Sequence, residues 1–308
     1  MKAALFVALA VFTIGFCVVW ILAIARRGRA PQAADGRSAP GRPSVLDTAI
    51  GFVTNFFDTL GIGSFATTSA FFKVWGLVRD EQIPGTLNVG HTLPSIVQAF
   101  IFIAVVQVDV VTLILMIAAS VVGAWLGAGV VSHWPRRNIQ IGMGSALLGA
   151  ATIMALSQLS LVPAGGDRTG LAGATLALAI GVNLILGALM TIGIGLYAPC
   201  MILVSLLGMN PSAAFPIMMG SCAFLMPVGS IQFIRAQKYN LKSALGLTIG
   251  GVPGVLLAAF LVKSLPLSAV RWLVVAVVVY TAVMMLRTAA IERRRARSTV
   301  VVSPSAAD

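Results

Sequence analysis

One short stretch occurs twice in this chain, and it limits the folds open to it. Asp58-Thr59-Leu60-Gly61-Ile62-Gly63-Ser64-Phe65-Ala66 and Met190-Thr191-Ile192-Gly193-Ile194-Gly195-Leu196-Tyr197-Ala198 share Thr, Gly, Ile, Gly and Ala in register at an offset of 132 residues. Glycine adopts backbone angles that other residues avoid and weakens a helix, so Gly-x-Gly in an apolar run is a break. The arms on either side are short: 46–60 and 63–76 in the first copy, 172–191 and 196–207 in the second. The first two arms would each be about 21–22 Å long at about 1.5 Å per residue, against a hydrocarbon core of about 30 Å. One helix through both would reach about 46 Å. A re-entrant hairpin with its tip at the Gly-x-Gly accommodates both lengths.

The register extends beyond the breaks. Gly76 matches Gly208 and Pro84 matches Pro216 at the same offset; Gly123 matches Gly254 and Pro135 matches Pro266 one residue out of step. The chain therefore reads as a duplication. Its solvent is the bilayer: only 10% of residues are charged and the mean hydropathy is +0.99, where soluble domains carry about 25% charged residues. Helices satisfy their own backbone in lipid, and strand-period alternation is absent. Apolar runs predict helices at 4–25, 85–107 with a kink at Pro94, 109–132, 138–160, 214–235, 242–263 and 268–287. Ala23-Ile24-Ala25 resembles a signal-peptidase site, but the run before it is long and its basic cluster, Arg26, Arg27 and Arg29, follows it; a retained first helix is expected. The expected units are 1–45 (helix and cytoplasmic linker), 46–165 (first repeat), 166–290 (second repeat) and 291–308 (basic tail).

Charge tests the hairpins. Net charge is +12, from 21 Lys and Arg against 9 Asp and Glu. With both broken stretches re-entrant, 17 cations fall on the inner side and four outside: Lys2, Arg168, Lys263 and Arg271. With each stretch crossing once, the split is 14 against 7. Positive-inside counting favours the re-entrant arrangement and makes the repeats inverted, a common build of secondary transporters. The expected fold is an all-α integral membrane protein of two inverted repeats, each a re-entrant helical hairpin plus three transmembrane helices, preceded by one extra N-terminal helix. The N-terminus is expected in the periplasm and the C-terminus in the cytoplasm. The same charge count explains the basic balance without nucleic acid; no aromatic and basic stripe is present to stack bases.

The breaks carry the chemistry. A helix restarting after a break begins with amides that have no intrahelical partner and bear partial positive charge, a setting suited to a small oxyanion. Gly61, Gly63 and Ser64 supply one such start; Gly193 and Gly195 supply the other. Thr59, Thr67, Thr68 and Thr191 add hydroxyls. Asn88 and His91 begin the next helix, with Ser221 and Cys222 in the matching place of the second half. For each hydroxyl the competing assignment is a bond to its own helix carbonyl. Asp58 is the acid well inside an apolar segment, where ionisable groups are costly and functional. It is assigned to proton coupling, with a structural cap as the competing role. Cys17, Cys200 and Cys222 have no C-x-x-C spacing, and His91 and His133 are expected near membrane surfaces. Neither a metal, a cofactor nor a catalytic residue is expected: no nucleophile elbow, zinc motif, P-loop or dinucleotide fingerprint occurs.

Gly61-Ile62-Gly63-Ser64 after Asp58, the loop from Gly76 to Pro84, Asn88-Val89-Gly90 and the duplicated second half resemble the TauE/SafE permeases over roughly residues 45–290. The helix 4–25 reads as an addition. The resemblance implies a carrier of sulfite, organosulfonate or thiosulfate in the bacterial inner membrane. Outward, proton-coupled movement of sulfite or a short sulfonate is the leading expectation; an anion channel, or an importer of thiosulfate or other small anions, is the alternative. The implied partners are a small anion and the lipid bilayer, with a homo-oligomer left open.

Overall fold

The computed structural model describes residues 2–29, 43–130, 136–159, 166–190 and 196–301. Its α-helices, in chain order, are α1 (Lys2–Arg29), α2 (Val45–Thr59), α3 (Ser64–Val74), α4 (Ile83–Val105), α5 (Val110–Val130), α6 (Arg136–Gln158), α7 (Gly173–Met190), α8 (Tyr197–Leu206), α9 (Ala214–Arg235), α10 (Leu241–Ser264) and α11 (Leu267–Val301). Among the described residues no strand forms beyond one isolated bridge, Arg168 to Met209.

Six helices are long and apolar enough to cross a membrane: α1, α4, α7, α9 (counted from Pro211), α10 and α11. Five of them were expected as crossings. The other two expected crossings are α5 and α6, whose apolar windows extend only over Val110–Leu126 and Gln140–Leu156. α7, read from sequence as a hairpin arm, has 18 residues and so measures about 27 Å, close to the hydrocarbon thickness of about 30 Å. Its first-half counterpart, α2, stops at 15 residues. α11 also runs past the expected end at 287, because Ala, Arg and Glu in 288–297 are good helix formers.

The helices pair in a pattern that follows the duplication. α2 lies against α10 and α7 against α5; α4 pairs with α9 and α6 with α11. The contacts recur at corresponding residues. A side chain on Gly123 of α5 would strike the backbone carbonyl of Leu184 on α7, and one on Gly254 of α10 would strike that of Phe52 on α2. Leu184 and Phe52 are themselves 132 residues apart. Lipid tails are as apolar as the helices, so helix association in a bilayer depends on such close approach. These two glycines are therefore required by packing, which accounts for their match in sequence.

Helix ends repeat as well. Leu77 donates its amide to the Phe72 carbonyl and Met209 to that of Val204, both at 3.1 Å, around left-handed Gly76 and Gly208. Asp109 accepts from the Thr112 amide at 2.8 Å to start α5, and Asn240 accepts from the Ser243 amide at 3.1 Å to start α10. α4 continues through Pro94 without interruption. α1 packs against α9 and α4, burying Leu5, Leu9, Phe16 and Trp20. Phe6 stacks on Phe100 of α4, and Phe12 meets Phe224 of α9 edge-on.

Candidate functional site

α2 ends at Thr59 because Gly61 and Gly63 take φ of 99° and 88°, values at which any side chain is strained. The amides of Leu60, Gly61 and Ile62 turn back onto the carbonyls of Phe57 and Asp58, and α3 begins at Ser64. The first amide of α3 is occupied: Ser64 N donates to Asp58 Oδ1 at 2.6 Å. The expectation of bare amides at this helix start is therefore corrected. Asp58 lies six residues back across a tight turn, and its carboxylate takes the position an external oxyanion would need. The competing assignment of Asp58 as a structural cap is thus present in the geometry.

The other carboxylate oxygen leads away from the break. Gln98 of α4 donates through Nε2 to Asp58 Oδ2 and to Thr59 Oγ1, each at 2.9 Å. Gln98 Oε1 accepts from the Tyr197 hydroxyl at 3.3 Å. Tyr197 is the first residue of α8, the helix that follows the second broken stretch. The first break also rests on α8 directly, since a Cβ at Gly61 would sit 2.7 Å from the Met201 sulfur. Asp58, Thr59, Ser64, Gln98 and Tyr197 are all buried. One line of hydrogen bonds therefore joins α2, α3, α4 and α8.

A second buried cluster lies beside it. His91 Nδ1 meets Asn55 Oδ1 and His91 Nε2 meets Thr68 Oγ1, both at 3.1 Å. Asn55 uses Nδ2 to donate to the Gly51 carbonyl at 2.7 Å, so its oxygen faces the imidazole. His91 then carries its proton on Nδ1 and accepts from the Thr68 hydroxyl at Nε2. The ring ties α2, α3 and α4 together and has no solvent exposure. This corrects its expected place near a membrane surface: three neutral partners inside the bundle hold it. His133 lies outside the described residues.

The remaining sequence-derived site residues divide. Thr67 donates to the Ser64 carbonyl at 2.9 Å, Asn88 to that of Pro84 at 2.9 Å and Ser221 to that of Ile217 at 2.8 Å. These three serve their own helices. Asn88 and His91 also lie inside α4, which begins at Ile83, and not at its start. Cys222 of α9 contacts Met190 at the end of α7, with sulfur atoms 3.8 Å apart. Its thiol also neighbours the Tyr197 hydroxyl. Thr191, Gly193 and Gly195 lie outside the described residues, so the second break is known by its flanks, Met190 and Tyr197. Sequence reasoning missed Gln98 and gave Tyr197 no role. The signal for Gln98 was present: it is a polar residue in an apolar helix, seven positions after His91 and so on the same face.

These geometries can be set beside known proteins. A family model described as sulfite exporter TauE/SafE matches residues 1–154 and 174–307. The chain belongs to the TauE/SafE family. The match begins at residue 1 and so includes α1, which the motif resemblance over 45–290 had left outside. No curated protein and no solved structure gives a match. TauE/SafE membership, together with six spanning-length helices, makes the chain a multi-pass membrane transport protein. The break between two half-helices, with a buried carboxylate at its tip, is the feature of this TauE/SafE chain most suited to handling an anion.

Proposed function

We propose that the chain is a secondary transporter that exports a small sulfur-containing oxyanion, sulfite or a short organosulfonate, across the bacterial inner membrane, with proton coupling at Asp58. The observation that carries this reading is the 2.6 Å bond from the Ser64 amide to Asp58 Oδ1 inside a buried network that reaches α8. A carboxylate and a sulfur oxyanion present the same chemistry to a helix N-terminus: negative oxygen accepting from a backbone N–H. Asp58 therefore stands in for the substrate. While Asp58 is ionised it holds the amide; once it takes a proton, the amide is released to an arriving anion. Proton uptake and anion binding are linked because both compete over one donor.

In this reading the two halves are inverted repeats, and α2–α3 and α7–α8 are the re-entrant pairs. The support is the reciprocal packing of α2 on α10 and α7 on α5 and the positive-inside count. The substrate is held between the Gly61–Ser64 and Gly193–Gly195 segments, with hydroxyls from Thr59 and Thr191. The family description supplies the outward direction and the sulfite class.

The test is a binding and flux panel in proteoliposomes with sulfite, thiosulfate, sulfate and sulfoacetate. Saturable sulfite flux that responds to a pH gradient supports the carrier. Equal and negligible affinity for all four anions removes the substrate assignment, and flux that rises linearly with sulfite and ignores pH turns the reading to a channel.

A further inference from the structure

We propose that Gln98 is a positioning residue that relays the protonation state of Asp58 to the Tyr197 hydroxyl by reversing its side-chain amide. The proposal rests on the reading above in one respect, that Asp58 takes up and releases a proton during transport.

The argument is one of donors and acceptors. In the structure both N–H groups of the Gln98 amide are used, one on Asp58 Oδ2 and one on Thr59 Oγ1, and its oxygen accepts from Tyr197. A carboxamide has two donors on one side and an acceptor on the other. The hydrogen-bond direction through it is therefore set by whichever partner cannot change. An ionised carboxylate only accepts, so it fixes the nitrogen toward Asp58 and leaves the oxygen to Tyr197. A proton on Asp58 Oδ2 turns that atom into a donor. Nitrogen would then face hydrogen, and a half-turn of the amide relieves the conflict. Gln98 Oε1 accepts from the new Asp58 O–H, and Nε2 donates to the Tyr197 oxygen. The Tyr197 hydrogen, displaced from Gln98, becomes available at the start of α8. Thr59 permits the turn because its hydroxyl, now given to the Asn55 carbonyl at 2.8 Å, serves as donor or acceptor. No atom leaves the network; the only addition is the proton on Asp58.

The surroundings leave few other responders. The titratable groups that neighbour Asp58 are Tyr197 of α8 and Cys222 of α9. From α3 it meets the neutral Ser64 amide and from α4 the neutral Gln98. α10, packed along α2, presents glycines there: Gly246 against Asp47, Gly250 against Thr48 and Gly251 against Asn55. His91 is engaged with Asn55 and Thr68. The link is also one-sided. The residue matching Gln98 in the second half is Ser230, whose hydroxyl pairs with Thr92 of α4 at 2.8 Å and reaches neither break among the described residues. A relay built once, from the half with the carboxylate to the half without, suits a signal with a direction.

Two measurements on the full chain test this. The first needs no substrate: acid-induced infrared difference spectra of the purified protein, reading the carbonyl band of protonated Asp58, assigned by its loss in Asp58→Asn. Tyr197→Phe removes the far end of the relay without touching Asp58, and a shift of that band is expected; Gln98→Leu is expected to shift it further. A band unmoved by Tyr197→Phe overturns the relay. The second is sulfite flux against pH in proteoliposomes. Gln98→Glu sets a second carboxylate against Asp58, and the pH profile is expected to move upward by about one unit or more, as like charges at one site resist joint ionisation. Gln98→Leu is expected to flatten the profile while changing the half-saturating sulfite concentration less than the maximal rate. In the Gln98→Leu background, Tyr197→Phe is expected to cause no further loss. Losses that multiply, or a wild-type profile in Gln98→Glu, overturn the relay. If the wild type moves no sulfite, the substrate reading has failed and the infrared result still decides the relay.

Discussion

α2 ends at Thr59 and α3 resumes at Ser64; 132 residues later α7 ends at Met190 and α8 resumes at Tyr197. The backbones of the two halves interrupt themselves at matching places, yet the side chains differ in kind. Asp58 faces the position of Met190, Asn55 that of Gly187, Ser64 that of Leu196, Thr68 that of Cys200 and Gln98 that of Ser230. The first half carries a buried hydrogen-bonded network, whereas the described flanks of the second carry thioether, thiol and small apolar groups. The difference has a physical cause. Two carboxylates facing each other in a low-dielectric interior repel strongly, and each costs several kcal/mol to desolvate. A pair of breaks serving one anion needs a single ionisable group. The duplicated backbone supplies the geometry and one half supplies the charge.

The largest test of this contrast sets Asp58→Asn against Met190→Leu. Asp58→Asn is expected to abolish the pH dependence of sulfite flux and slow it by about tenfold or more, ~1.4 kcal/mol in the barrier. Met190→Leu is expected to stay within about twofold, since Leu and Met exchange at little cost. Equal losses at both positions would erase the division of labour. The packing half of the comparison predicts equality: Gly123→Ala and Gly254→Ala each press a methyl onto a helix carbonyl and should each cost about 1–3 kcal/mol in thermal unfolding in detergent. A large loss in one alone would break the correspondence between halves.

A smaller effect separates hydroxyls that join helices from those that serve their own. Thr68→Val leaves His91 Nε2 unpaired in the core and should destabilise by about 1–3 kcal/mol. Ser221→Ala removes a hydroxyl bonded to its own helix and should change stability by about 0.5 kcal/mol or less. Similar values for the two would show that the His91 cluster does not tie α3 to α2 and α4.

Some of this was legible from residue types alone. The Gly-x-Gly breaks could be read because positive φ is a local property, and Gly61 and Gly63 have it. The matched Gly76 and Gly208 could be read for the same reason. Asp58 stood out because an acid in an apolar run is rare. The expected span of 85–107 against the observed Ile83–Val105 shows how well a long apolar run marks its helix. The bare amides were an error with a definite cause. A carboxylate six residues before a helix start looks like a neighbour of the site, and only the turn at Gly61–Gly63 folds it onto the Ser64 amide. Gln98 was missed because its partners are 40, 39 and 99 residues away. α7 was misjudged because a boundary shift of a few residues decides between an arm and a span.

By itself, then, the sequence determined that the chain is helical, lives in a bilayer, is duplicated and breaks at Gly-x-Gly, because hydropathy, glycine geometry and repeat register are properties of adjacent residues or of the order of the chain. The tertiary structure alone decided that Asp58 occupies the amide it was expected to leave open, that His91 lies inside the bundle, and that Gln98 and Tyr197 connect the first broken segment to the helix after the second. Those facts depend on which donor meets which acceptor across separate helices, and in an interior without water each buried polar group takes whatever partner the packing brings within reach.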